Sequence, residues 1–190
     1  FILHGLQANN YNIRFVALKQ LILSPLCTFL YLFVNMSWAV KVLIYAMKGC
    51  SELEYSNYMS SYNAVKIDPV CHILKKHMNN PNTLVITITA SPKVCLSTQL
   101  VKIGIKKENQ YGPICISDSQ GFYTGDSKML VDGHTKKQIV KKIKKIYNLN
   151  QKDLYFYTDS FQDLPLLKYA GHSYLVKPNF FMKYIAKLYN

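Results

Sequence analysis

The stretch Leu154-Tyr155-Phe156-Tyr157-Thr158-Asp159-Ser160-Phe161-Gln162-Asp163 decides the fold class of this chain. Its first four residues are apolar or aromatic with no alternation, the pattern of a strand buried on both faces, as in a parallel sheet. Two carboxylates, Asp159 and Asp163, follow at a spacing of four. Ligands of open parallel sheets bind beyond the carboxyl ends of the strands, so chemistry is to be sought here first. Two carboxylates at such a mouth can hold a hard cation, directly or through water. Standing alone, the same pair also fits a helix start with a capping residue and a dipole-favouring acid.

Upstream, residues 84–88 form a second continuous β-rich run after the turn Asn79-Asn80-Pro81-Asn82, and are expected to be a buried, parallel strand. Thr89-Ala90-Ser91-Pro92 closes it. A hydroxyl and backbone N–H groups opening a helix can hold a phosphate oxygen, and Pro92 suits a first helical turn. Between the two strands, Gly133-His134-Thr135-Lys136 puts a lysine at the start of a predicted helix over 135–147, with Ile139, Ile143 and Ile146 as its apolar stripe. An ammonium there could neutralise a phosphoryl group and a neighbouring carboxylate. Short strands are predicted at 113–117 and 121–125, a helix at 163–169, a strand at 172–176 and a basic helix at 179–190. Strands alternating with helices after residue 82 indicate an α/β layer fold with a mainly parallel sheet.

The first 80 residues differ in character. From 15 to 47 the only charged side chains are Lys19 and Lys41, and residues 20–40 carry none, a length that approaches a bilayer span. Pro25 and the segment Asn35-Met36-Ser37 interrupt the run. Proline breaks or kinks a helix interior, so two short apolar helices are expected. They pair with each other or lie in a membrane interface, or else form the buried hairpin of a soluble cap. After Gly49, Ser51 and Glu54 have the spacing of a capping box, and helices with polar faces follow to residue 80.

Hydrophobic residues make up 49% of the chain and charged residues 17%, the reverse of a disordered composition. The net charge of +13 points to an anionic partner or to a lysine-rich composition without one. The partner classes are nucleic acid, an anionic membrane and a phosphorylated substrate. Nucleic acid is not expected, because no finger, helix-turn-helix or aromatic platform is legible. Cys27, Cys50, Cys71, Cys95 and Cys115 are odd in number and lack metal-type spacing, which argues against a disulfide framework or a zinc site and for a reducing compartment.

Taken in order, three segments resemble motifs two, three and four of the haloacid dehalogenase superfamily. They are Ile86-Thr87-Ile88-Thr89-Ala90-Ser91-Pro92, Gly133-His134-Thr135-Lys136, and Tyr157-Thr158-Asp159-Ser160-Phe161-Gln162-Asp163-Leu164-Pro165-Leu166-Leu167. The similarity is to subfamily IB, which includes phosphoserine phosphatases and phosphatidylglycerophosphatase C, and it covers residues 83–180. It implies a Rossmann-like, mainly parallel sheet with an inserted helical cap of the C1 type: cap over 1–80, α/β core over 81–190. It further implies a Mg²⁺-dependent phosphomonoester hydrolase. Thr89 would hydrogen-bond the transferring phosphoryl group, Lys136 would stabilise it, and Asp159 would bind Mg²⁺, with Asp163 a second ligand or the orienter of the first. Thr158 replaces the commoner glycine.

The family's first motif, Asp-x-Asp-Gly-Thr, supplies a nucleophile that becomes aspartyl-phosphate, and it does not occur in this sequence. Ile116-Ser117-Asp118-Ser119-Gln120-Gly121 comes nearest but falls after motif two and reads as a hairpin turn. The expectation is therefore a chain beginning after that motif, inactive by itself. The apolar cap implies a lipid phosphate, such as phosphatidylglycerophosphate, and a cytoplasmic-face membrane location. The alternatives are a soluble cytoplasmic phosphatase of the phosphoserine type and a catalytically dead membrane-associated binding protein.

Overall fold

The structure, a computed structural model, describes residues 5–34, 36–62, 68–178, 180 and 182–184. It packs as two compact units, residues 1–130 and 131–190.

The first unit opens with helix α1 (Tyr11–Phe29), capped by Asn10, whose side chain accepts from the Ile13 N–H. A π-helical turn (Leu30–Val34) and helix α2 (Met36–Tyr45) follow. The expected break at Pro25 does not occur. A proline leaves the carbonyl four residues back without its donor, and here that carbonyl, Leu21 O, accepts instead from the Ser24 hydroxyl at 2.8 Å. The helix therefore continues, and it loses α-helical geometry only at the π turn beyond Phe29. By length and composition, residues 11–34 match a membrane span (mean hydropathy 1.6), a test that the core helix of a soluble protein and a signal sequence also pass.

Helices α3 (Glu52–Ser61) and α4 (Asp68–Met78) come next. Ser51 caps α3, its hydroxyl accepting from the Glu54 N–H as its spacing predicts. The inner face of α1 (Ile13, Val16) meets Met47, Cys50, Tyr55, Met59 and Tyr123 in the largest apolar cluster of this unit. Burial pushes the thiols of Cys50 and Cys95 up to about 11 and that of Cys115 up to about 12. All five cysteines are free. These three remain neutral packing groups near neutral pH.

Strand β1 (Thr87–Ile88) pairs in parallel with β2 (Gln110–Tyr111), with helix α5 (Lys93–Lys102) between them. The regular strand is shorter than the predicted 84–88, and it is half-buried. The β2 strand was not legible, because two residues show no periodicity. Strands β3 (Cys115–Ser117) and β4 (Tyr123–Ser127) form the expected hairpin, antiparallel and irregular in register. Its turn consumes Asp118, whose carboxylate accepts from the N–H groups of Gln120 and Phe122. Gly121 adopts φ +82° there, a left-handed conformation that glycine enters without steric cost.

The second unit runs α6 (Gly133–Ile146), β5 (Tyr155–Thr158), a 3₁₀ turn (Phe161–Asp163), the short helix α7 (Leu164–Leu167) and β6 (His172–Leu175). β5 and β6 pair in parallel, Tyr155 opposite His172 and Thr158 opposite Leu175. Most of the predicted helix at 179–190 lies outside the described residues.

Candidate active site

The site in the second unit is built by three short pieces of backbone at the carboxyl end of β5. Asp132 caps α6, accepting from the Thr135 N–H at 2.8 Å. Burial opposes its charge, but the hydrogen bonds from Thr135 and the neighbouring His134 outweigh this and hold the carboxyl below its ordinary 3.8. Gly133 allows the helix start to lie directly on the loop after β5: a Cβ at that position would come within 2.0 Å of the Gln162 carbonyl oxygen. One turn later Lys136 projects beside Asp163.

The apolar stripe expected for α6 is displaced by this packing. Its buried positions are Gly133, Lys136, Val140 and Ile143, while Ile146 is 74% exposed. Lys136 therefore lies in the apolar register of the helix. Lys137 and Lys141 lie off it and stack their ammonium groups on Tyr169.

The Lys136 ammonium contacts both oxygens of Asp163, Oδ1 at 2.7 Å and Oδ2 at 2.8 Å. The Thr158 hydroxyl donates to Asp163 Oδ2 at 2.6 Å. Lys136, Thr158 and Asp163 are 7%, 7% and 3% exposed. The loop is locked independently: the Ser160 N–H donates to the Thr158 hydroxyl oxygen, and the Gln162 N–H to the Ser160 hydroxyl oxygen. An ammonium has three N–H donors. Two point at Asp163, which leaves one for an incoming oxygen.

Of the two acids singled out in the sequence, Asp163 is thus committed to Lys136 and Thr158, whereas Asp159 is an exposed carboxylate one residue beyond β5. Among the described residues, no group of three His, Cys, Asp or Glu side chains gathers to hold a metal. Mg²⁺ is commonly held by one or two carboxylates, with water and phosphate oxygens completing its shell. Asp159 fits that role as one ligand. Asp163 is buried and already accepts from an ammonium and a hydroxyl, the arrangement of a group that orients its neighbours.

Thr89 belongs to the first unit. Its N–H donates to the Tyr111 carbonyl at 2.9 Å, and its hydroxyl oxygen accepts from the Ser91 N–H at 3.0 Å, leaving the hydroxyl proton free to donate. The helix that follows is capped by Pro92 without a side-chain hydrogen bond. The Lys93 N–H is already bonded to the Pro113 carbonyl.

Thr158 is the residue that sequence reading undervalued. In the sequence it is only a substitute for a commoner glycine, yet its side chain fixes Asp163. No spacing rule could have shown this, because the bond depends on the 3₁₀ turn that folds Asp163 back over the strand end.

No family model and no curated protein matches the sequence. Solved structures do match the fold. A substrate-bound phosphoserine phosphatase aligns with a TM-score of 0.69 at 17% identity, over 93% of this chain and 83% of its own. A protein of unknown function from Bordetella pertussis Tohama I aligns at 0.72 and 16% identity, over 99% of this chain and 84% of its own. A HAD-family hydrolase from Salmonella enterica serovar Typhi aligns at 0.70 and 12% identity, over 90% of this chain and 59% of its own. Identities this low establish architecture. The chain shares its α/β fold with these phosphatases and hydrolases. Phosphoserine phosphatases are among the solved examples that it resembles.

Proposed function

We propose that this chain is the greater part of a phosphomonoester hydrolase of the haloacid dehalogenase type. The observation that carries the proposal is the buried Lys136–Asp163–Thr158 cluster at the end of β5. A buried ammonium with two donors committed and one to spare is a preorganised partner for a phosphoryl oxygen. Asp163 positions it and is held in turn by Thr158. Asp159 offers the carboxylate for Mg²⁺, and the metal would supply charge neutralisation at the phosphoryl group. Thr89 takes its role from its motif and from its hydroxyl: a hydrogen bond to a phosphoryl oxygen.

The carboxylate nucleophile is not among these residues, since no Asp-x-Asp-Gly-Thr occurs. In this reading it lies on a strand outside residues 1–190. The cap corresponds to 1–80 and the α/β core to 81–190. The substrate is a lipid phosphate of the phosphatidylglycerophosphate kind, supported by the apolar residues that α1 and α2 leave exposed. A soluble substrate such as phosphoserine is the second reading, supported by the phosphoserine phosphatases of the same fold.

The test is the gene product extended upstream. If it carries the aspartate motif, it should hydrolyse a phosphomonoester only with Mg²⁺, lose nearly all turnover with Asp159→Asn, and prefer the lipid phosphate to phosphoserine. Residues 1–190 alone should show none. Turnover by residues 1–190 alone, or hydrolysis indifferent to EDTA and to Asp159→Asn, would sink the assignment. A gene with no such motif upstream would leave a phosphate-binding protein without catalysis.

A further inference from the structure

Helix α1 is apolar on two opposite faces, and only one of them is used by the fold. Ile13, Val16, Ala17 and Gln20 are buried. On the other side stand Tyr11, Phe15, Leu18, Ile22, Leu26, Phe29 and Phe33, between 43% and 78% exposed. Their spacings of four and three keep them on one stripe of the helix and its π turn. Tyr11 stacks on Phe15, and Phe29 leans on Phe33, along the same line.

The neighbouring helix adds to this surface. Tyr45, Ile22, Leu23, Lys19 and Lys48 line one hollow of about 340 Å³, so Tyr45 adjoins the α1 stripe. Trp38 lies seven residues before Tyr45, two turns along the same face of α2. Both are more than half exposed. Three ammonium groups lie over rings of this surface: Lys19 over Phe15, Lys41 over Trp38 and Lys48 over Tyr45.

Charge selects the occupant. Residues 1–50 contain Arg14, Lys19, Lys41 and Lys48 and no Asp or Glu. A second copy would bring a like-charged face with no acids to answer it, whereas an anionic bilayer presents phosphates to the lysines and hydrocarbon to the rings. The inner face selects the orientation. Ile13 and Val16 are part of the core with Met47, Tyr55 and Tyr123, so the first half of α1 cannot leave the protein for lipid. Residues 20–34 alone would reach about 22 Å at ~1.5 Å per residue, short of the ~30 Å hydrocarbon core.

From these observations we infer that the outer stripe of α1, with Trp38 and Tyr45, is a docking face for an anionic phospholipid surface, and that α1 lies in the interface plane and does not cross the bilayer. Lys19 and Lys48 meet lipid phosphates at the hollow beside Ile22. The inference rests on the lipid-phosphate reading for the identity of its partner, but it needs no hydrolysis.

Trp38 is the sole tryptophan, so fluorescence reports on this face directly. The protein should float with phosphatidylglycerol/phosphatidylcholine vesicles and not with phosphatidylcholine alone, and added salt should release it. Its emission should shift to the blue and be quenched more by lipid brominated near the headgroup than by lipid brominated at the chain end. Ile22→Glu with Phe33→Glu, both exposed in the fold, should cut binding about ten-fold or more with an unchanged circular-dichroism melt. Lys19→Gln with Lys48→Gln should weaken binding to the anionic vesicles and reduce its dependence on salt. Absence of anionic-vesicle binding overturns the inference. So does dominant quenching from the chain end, which would mean crossing, or a dimer that the Glu variants dissociate without any vesicle binding. Flotation reads no turnover: a protein that floats but never hydrolyses keeps the docking face and loses the enzyme, and an active protein that ignores vesicles does the reverse.

Discussion

Helices α1 and α6 solve opposite problems. The α6 helix has one buried face, and a charged residue, Lys136, sits on it with a dedicated partner. The α1 helix buries an apolar face and leaves a second apolar face outside. A polar residue on an inner face and an apolar stripe on an outer face both run against the usual partition between core and surface. Departures from simple amphipathicity, located residue by residue, are where the proposed phosphate site and the proposed lipid face lie. In α6 the departure is a single ammonium aimed at a carboxylate. In α1 it is a whole surface.

The contrast is most exposed to failure at the polar member of the inner face. Lys136→Ala leaves Asp163 buried without its cation, and loss of one partner of a buried pair costs about 3–5 kcal/mol. Urea unfolding should show that loss. The Lys136→Met, Asp163→Leu double variant should recover most of it, because both polar groups are then gone. If the single variant costs no more than a surface substitution, the pair is not buried as described.

A smaller effect bears on the α1 side. The Ser24 hydroxyl answers the carbonyl that Pro25 leaves without a donor. Ser24→Ala should cost about 1 kcal/mol in the natural sequence. In a Pro25→Ala background it should cost almost nothing, since the substituted alanine brings its own N–H. A double-mutant cycle by thermal or urea unfolding measures the coupling. Equal costs in both backgrounds would show that the serine has no part in carrying the helix past the proline.

The smallest effect concerns the start of α6. Asp132 has a depressed pKa in the fold, so its charge stabilises the native state at pH values above its ordinary 3.8. That contribution is lost as pH falls through the lower folded value. Asp132→Ala should cost about 1 kcal/mol near neutrality, the usual worth of an N-cap. The gap between wild type and variant should narrow in acid. A gap that stays constant across that range would mean the carboxylate charge has no part in the cap.

Sequence reading was most successful where one rule governed a segment. The alternation of strands and helices after residue 82, the Ser51 cap and the Asp118 turn all follow local chemistry that tertiary context did not alter. It was less successful where two rules competed. Pro25 reads as a break, yet a neighbouring hydroxyl compensates it. Ile146 extends an apparent apolar stripe, yet the true register passes through Lys136, Val140 and Ile143. That register was available: Lys136 is four residues before Val140 and seven before Ile143, whereas Lys137, Lys141, Lys142, Lys144 and Lys145 all fall off it. A lysine in an apolar register is the signal that distinguishes it from its neighbours. Thr158 and strand β2 carried no comparable signal, because the Thr158 bond depends on the 3₁₀ turn that brings Asp163 back and β2 on a partner strand distant in sequence.

Everything proposed for the active site turns on the spare donor of the Lys136 ammonium binding a phosphoryl oxygen. The decisive measurement is the shift in thermal midpoint of residues 1–190 on adding inorganic phosphate and Mg²⁺, against chloride at equal ionic strength. A ligand that binds only the folded state raises that midpoint in proportion to its occupancy. A phosphate-dependent rise is expected in the wild type and none in the Lys136→Met, Asp163→Leu variant. No rise in the wild type, or an equal rise in both proteins, would contradict the assignment.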